Sequence, residues 1–197
     1  PNTDPLPEPE KELPFTDVKK SDWSYKAIKY MYGNKYISGT TSTTFSPKMK
    51  LTRGMLVTIL HNMEGKPNVS GKSKFPDVQN TSDYYYVAVK WASKNNIVSG
   101  YSNGKFGPND LITREQLAVM LNQYSIYKGT YKKTNADFTK FSDSNKISDF
   151  AKWGMNWAVG TGVITGTTEK TLIPQGTASR EEAAAMIYKY FLSLKNS

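Results

Sequence analysis

Residues 97–116 read IVSGYSNGKFGPNDLITREQ, and the spacing inside this stretch governs the reading of the whole chain. Gly100 follows a small hydroxyl residue, Ser99. Phe106 comes six positions after the glycine, Pro108 eight, and Thr113 thirteen, with Arg114 next. The same frame occurs around Gly39 (Ser38, Phe45, Pro47, Thr52, Arg53) and around Gly166 (Thr165, Leu172, Pro174, Ser179, Arg180). Upstream of each glycine lies a second shared element. Phe15-Thr16-Asp17-Val18 becomes Phe75-Pro76-Asp77-Val78 and then Phe141-Ser142-Asp143-Ser144. An acid–aromatic pair follows each: Asp22-Trp23, Asp83-Tyr84 and Asp149-Phe150. So many positions in register indicate an internal triplication.

Each repeat predicts helix, loop, helix. Ala27, Ile28 and Met31 follow Trp23 at helical spacing. Tyr84, Ala88, Val89 and Trp91 do the same in the second repeat, and Phe150, Trp153, Trp157 and Ala158 in the third. Gly39, Gly100 and Gly166 are expected to end these helices in a left-handed conformation and to let backbone N–H groups approach a ligand. Thr52, Thr113 and Ser179 suit N-caps of the second helices, which carry the stripes Leu56-Ile59-Leu60-Met63, Leu117-Met120-Leu121-Tyr124 and Ala183-Met186-Ile187-Tyr190. The third helical residue is Met55, Gln116 or Glu182. Gln and Glu complete a capping box and Met does not. Two short helices cannot bury both stripes, but three pairs gathered together can. The expected fold is all-α, a pseudo-threefold assembly of repeats at 15–66, 67–139 and 140–197. Residues 1–14, with five prolines and a net charge of −3, are expected to form an extended linker from a domain upstream.

The 197 residues carry 26 Lys+Arg against 17 Asp+Glu, and only three of the basic residues are arginine. A net charge of +9 favours an anionic partner. The absence of cysteine excludes disulfides and thiolate chemistry, and a single histidine, His61, excludes His-pair metal motifs. No residue constellation calls for a cofactor. No apolar run is long enough to span a bilayer. A nucleic-acid binder is disfavoured, because the arginines stand apart at one repeated position. A glycan hydrolase using Asp22, Asp83 and Asp149 is the enzymatic alternative. Hydrolysis needs two carboxyls in unlike environments, whereas triplication supplies three similar ones.

These motifs resemble the S-layer homology family: a Phe-x-Asp-Val opening, a Trp-Ala helix start, an Ile-x-Gly loop with Phe-x-Pro, and Thr-Arg-Ala-Glu at the next helix. The resemblance covers Phe15 to about Leu194. It implies a secreted, non-catalytic, monomeric module on the bacterial cell wall. It further implies that grooves between repeats bind an anionic secondary cell-wall polysaccharide, typically with ketal-linked pyruvate on an amino sugar.

The ligand-binding candidates are Arg53, Arg114 and Arg180, the pairs Asp22-Trp23, Asp83-Tyr84 and Asp149-Phe150, and Gly39, Gly100 and Gly166. At the first position of a helix, each arginine would lie beside free backbone N–H groups and the positive dipole end, and its planar fork suits a carboxylate. The competing role is a bridge from each arginine to one of the three aspartates. Carried over from the family, Arg53 is expected to face Asp83-Tyr84, Arg114 to face Asp149-Phe150, and Arg180 to face Asp22-Trp23. Residues 15–66 carry +6 and residues 140–197 only +2. The pull on a carboxylate is therefore expected to fall from Arg53 through Arg114 to Arg180.

Overall fold

The computed structural model describes residues 6, 7, 9 and 12–195. Asp4, Glu8, Glu10 and Lys11, which contribute to the acidic charge of the first segment, lie outside the described residues. Six α-helices carry the fold: α1 (Tyr25–Gly33), α2 (Arg53–Met63), α3 (Tyr86–Lys94), α4 (Arg114–Tyr127), α5 (Lys152–Gly160) and α6 (Arg180–Lys195). Short 3-10 turns at Ser144–Lys146 and Asp149–Ala151 lead into α5. Among the described residues there is no named strand, only isolated bridges.

The second helices begin where the hydroxyl residues predict. Thr52 accepts from the Met55 N–H at 3.2 Å. Thr113 and Gln116 form a full capping box. Ser179 N–H donates to Glu182 Oε2 at 2.7 Å, and Glu182 N–H returns a bond to Ser179 Oγ at 3.3 Å. The cap of α2 is therefore the incomplete one. Met55→Glu is expected to stabilise the protein by about 0.5–1 kcal/mol, read as a raised melting temperature. A lowered melting temperature would show that the apolar contacts of Met55, which is partly buried against the core, outweigh the cap.

The helices that pack together belong to different repeats. α2 packs on α3, α4 on α5, and α6 on α1, which closes the chain into a ring. At the axis the backbone repeats the closure. Leu51 N–H donates to Ala178, Ala178 to Ile112, and Ile112 to Leu51, each at 2.9 Å. All three side chains are fully buried. No repeat buries its own two stripes; each stripe is covered by a neighbour, so stability belongs to the ring.

Within each repeat, one device holds the loop. Asp17 accepts the N–H groups of Phe45 and Ser46. Asp77 does so for Phe106 and Gly107, and Asp143 for Leu172 and Ile173. The second residue of each pair is left-handed: Ser46 at φ 57, Gly107 at φ 68 and Ile173 at φ 48. A carboxylate accepting two backbone donors is well suited to hold such a turn. Burial opposes ionisation of Asp77, but the Phe106 and Gly107 donors win and hold its pKa below the usual carboxylate value.

The repeated glycines do something other than end helices. The left-handed residue after each first helix is Lys35, Asn96 or Gly162. Gly100 (φ +80) and Gly166 (φ +95) are left-handed four residues further on, and Gly39 is not. What the three share is the loop carbonyl five residues on, which a Cβ would meet at 2.6 Å (Thr44), 2.8 Å (Lys105) or 2.9 Å (Thr171), and the opening phenylalanine. A Cβ at Gly39 would stand 2.5 Å from Phe15, at Gly100 2.6 Å from Phe75, and at Gly166 3.1 Å from Phe141. Glycine lets each loop close on that ring.

The proline-rich start is not loose where it is described. Leu6 is buried, and Pro9 lies so close to Gly33 that a Cβ there would meet it at 2.2 Å. Glu12 accepts from Tyr25 Oη and Lys20 Nζ. The segment before the third repeat does the same: Thr134 lies 2.5 Å from where a Gly160 Cβ would be, and Asn156 ties it to α5. These segments strap the first helix of their repeat; composition alone reads the proline-rich one as linker.

Candidate functional site

The ring brings parts of three repeats to each groove. The first groove, about 460 Å³, takes Arg53 from the first repeat, the loop 96–102 and one face of α4 from the second, and Phe150 from the third. The second groove, about 430 Å³, takes Arg114 from the second repeat, the loop 163–167 and a face of α6 from the third, and Trp23 from the first. This corrects the expected pairing: Arg53 meets Phe150, not Tyr84, and Arg114 meets Trp23, not Phe150. The shift follows from where each arginine reaches: Arg53 closes on the loop after α3, and α4, which lines the same groove, packs on α5 and brings Phe150 with it.

Trp23, Tyr84 and Phe150 do not belong to the core. They are 63%, 58% and 61% exposed. Three flat rings at equivalent positions are thus left free to meet the apolar face of a partner. Asp22, Asp83 and Asp149 line neither groove and bridge no arginine. Asp22 accepts from Lys19 N–H, Asp83 from Asn80 and Tyr85, and Asp149 pairs with Lys152. They shape the turns into the first helices. Gly100 and Gly166 line the two grooves through their loops.

Each arginine opens its helix as expected, but the helix-end N–H groups are already used. Arg53 and Gly54 donate to Asp110 and Pro108. Arg114 and Glu115 donate to Gly176 and Pro174, and Arg180 and Glu181 to Met49 and Pro47. These bonds lock each helix to the next repeat's loop and leave no free helix-end N–H cluster for an anion. The next residue in the motif completes the joint. Glu115 accepts from Ser148, and Glu181 from Ser24 and Lys48. Gly54 leaves room for Tyr85 instead. The sequence reading missed this role, although the serines near the first-helix starts are its visible counterpart.

The guanidinium groups are buried and differently partnered. In each, Nε donates to a carbonyl of the next loop: Arg53 to Phe106, Arg114 to Leu172, Arg180 to Phe45. Arg53 sits 4.4 Å from the Tyr101 ring centroid and 4.8 Å from that of Phe106. Arg180 lies 4.5 Å from that of Phe45, and its Nη2 donates to Ser38. In the third repeat Leu172 replaces the phenylalanine, and Arg114 meets a carboxylate instead, Glu182 at 3.4 Å. Burial lowers the pKa of all three arginines. Among the described residues Arg53 and Arg180 have no carboxylate within ion-pair distance. His61 lies away from the grooves, buried against Trp91 with Nε2 2.9 Å from the Pro67 carbonyl.

Among the described residues no group of acids and histidine is clustered to hold a metal ion, and no helix is long and apolar enough to cross a membrane. The family model for the S-layer homology domain matches residues 14–54, 74–118 and 140–184, well over half the chain. Relatives include an endoglucanase of Bacillus sp. (strain KSM-635), 34% identical over 89% of this chain and 18% of its own length. The surface-layer 125 kDa protein of Lysinibacillus sphaericus is 26% identical over 85% of this chain and 14% of its own. A cellulosome-anchoring protein of Acetivibrio thermocellus is 24% identical over 88% and 40%. The chain thus spans less than half of each of these relatives. Three matched repeats, with each motif arginine closing on its neighbour's loop, show that this chain belongs to the S-layer homology domain family, the cell-surface modules that anchor proteins to the bacterial cell wall.

Proposed function

We propose that this chain is a non-catalytic anchor that binds an anionic secondary cell-wall polysaccharide bearing ketal-linked pyruvate on an amino sugar, and that the Arg53 groove is its principal carboxylate site. The observation that carries the reading is the state of Arg53. Arg53 is 5% exposed as a residue, its guanidinium has no ion-pair partner among the described residues, and it lies in a groove lined by no carboxylate. A desolvated cation with no carboxylate in direct contact, only Asp110 and Asp77 acting from further off, gains more from an arriving anion than a solvated lysine does. Ser99, Ser102, Asn96 and Gln123 offer polar groups for sugar hydroxyls, and the exposed Phe150 offers a flat face for ring C–H groups. The groove contains nothing that could serve as a pair of catalytic carboxyls.

The test is binding to wall sacculi before and after the attached polymer is extracted with acid. The anchor reading requires binding that disappears with the polymer. Binding that survives extraction would point to peptidoglycan itself and would sink this reading.

A further inference from the structure

The straps that cross the first helices close in two repeats and stay open in one. In the shared register, the position of Gly33 in α1 and Gly160 in α5 is taken by Lys94 in α3. A Cβ on Gly33 would collide with Pro9, and one on Gly160 with Thr134, so in those repeats the strap seats on the bare glycine. In the second repeat the lysine stands where the strap would seat. Val69 still packs on the core, but a hollow of about 170 Å³ remains between segment 69–74 and α3, away from the two grooves.

Lysines line this hollow from both walls, Lys72 and Lys74 from the strap and Lys90 and Lys94 from α3. Lys74 Nζ lies 5.2 Å from the Phe75 ring centroid and Lys90 Nζ 5.0 Å from that of Tyr86. Among the described residues none of the four has a carboxylate within ion-pair distance, and no acid lines the hollow. Four like charges gathered without a counter-ion repel, and an anion relieves that repulsion. Ammonium groups are point charges with rotatable donors. They suit the several oxygens of a phosphate, whereas the planar fork for a carboxylate belongs to arginine. Ser70 and Ser93 add hydroxyl donors. Four charges in one hollow favour a chain of phosphates over a single ion. Phe75 and Tyr86 are buried, so neither offers a face on which a nucleic-acid base could stack. We propose that this lysine hollow is a second wall contact, which holds a phosphodiester-linked wall polymer independently of the arginine grooves.

The experiment titrates the full chain with a glycerol-phosphate oligomer and follows the backbone amide resonances of Ser70 and Ser73. Saturable shifts are expected at low ionic strength. They should weaken as salt is added, because exposed charges are screened beyond about 8 Å at physiological ionic strength. Lys90→Gln combined with Lys94→Gln should weaken binding about tenfold or more. Lys133→Gln combined with Lys170→Gln removes the same charge from exposed positions elsewhere and should weaken it less than about threefold. Equal losses in the two pairs would mean that net charge alone attracts the oligomer, and the proposal falls. It falls if oligoglutamate of equal charge binds as tightly, for then phosphate is not what the hollow selects. Tighter binding of oligothymidylate would assign the hollow to nucleic acid instead. An excess of the pyruvate-ketal glycoside should leave the oligomer bound. Displacement would place the oligomer in the Arg53 groove and overturn the second contact while leaving the groove reading intact. Silence at Ser70 and Ser73 overturns the proposal outright.

Discussion

Arg53→Lys is expected to weaken binding of pyruvylated wall polymer about tenfold or more, although the net charge is unchanged. The guanidinium is wedged between Tyr101 and Phe106 with its Nε committed to the Phe106 carbonyl, so its remaining N–H groups point in fixed directions. Lysine can supply the charge but neither the two-point geometry nor the stacking, and its burial without a partner shifts it towards the neutral form. Arg114→Lys should change affinity for the same polymer less than threefold, because Glu182 already occupies that guanidinium. Arg180 holds the middle rank: it has no carboxylate, but Phe45 and Ser38 carbonyls take two of its donors. This order departs from the one read from segment charges, which put Arg114 second. The reason is geometric. Glu182 is chemically part of the third repeat yet faces the second repeat's arginine. Calorimetry on the three lysine variants decides the matter; normal binding by Arg53→Lys beside a loss in Arg114→Lys would reverse the assignment.

The triplication, the six helices and the three caps were legible in the sequence because they rest on local rules: a hydroxyl before a helix, an apolar stripe at helical spacing, a fixed register. The groove pairing was not legible. Arg53 does reach the next repeat as expected, but nothing local specifies that α4 lines the same groove and, packed on α5, brings Phe150 there in place of Tyr84. Trp23 shows the limit from the other side. At a helix start in register with Ala27 and Ile28 it fits the apolar stripe, but the stripe is wide enough without it, and the ring stays in water. The phenylalanine, aspartate and glycine of each repeat were visible as recurring letters, and their joint role became physical only when the loop folded back. Asp77 and Gly100 are 23 residues apart in the chain, yet both act on the segment from Gly100 to Gly107.

That fold-back gives Gly100→Ala a large expected cost in stability, about 2–4 kcal/mol. Two costs combine. Alanine at φ +80 pays about 1 kcal/mol for the left-handed backbone. Its Cβ would also stand 2.6 Å from the Phe75 ring and 2.8 Å from the Lys105 carbonyl, and overpacking of this kind costs about 1–3 kcal/mol more. Gly104, four residues on in the same loop, separates the two costs. Its φ is +79, but a Cβ there meets nothing within 4 Å. Gly104→Ala should therefore cost only about 1 kcal/mol. For a domain of this size each kcal/mol lowers the melting temperature by about 2–4 °C, so the two variants should be clearly resolved by thermal unfolding. Phe75→Leu in the Gly100→Ala background should recover part of the larger loss, and a double-mutant cycle measures how much of it is the contact with the ring. Equal losses for the two glycines would mean that backbone strain alone explains them and that the ring is not what requires glycine. Because the same loop carries Ser99, Ser102 and the Phe106 carbonyl that positions Arg53, Gly100→Ala should weaken polymer binding even at temperatures where the chain remains folded.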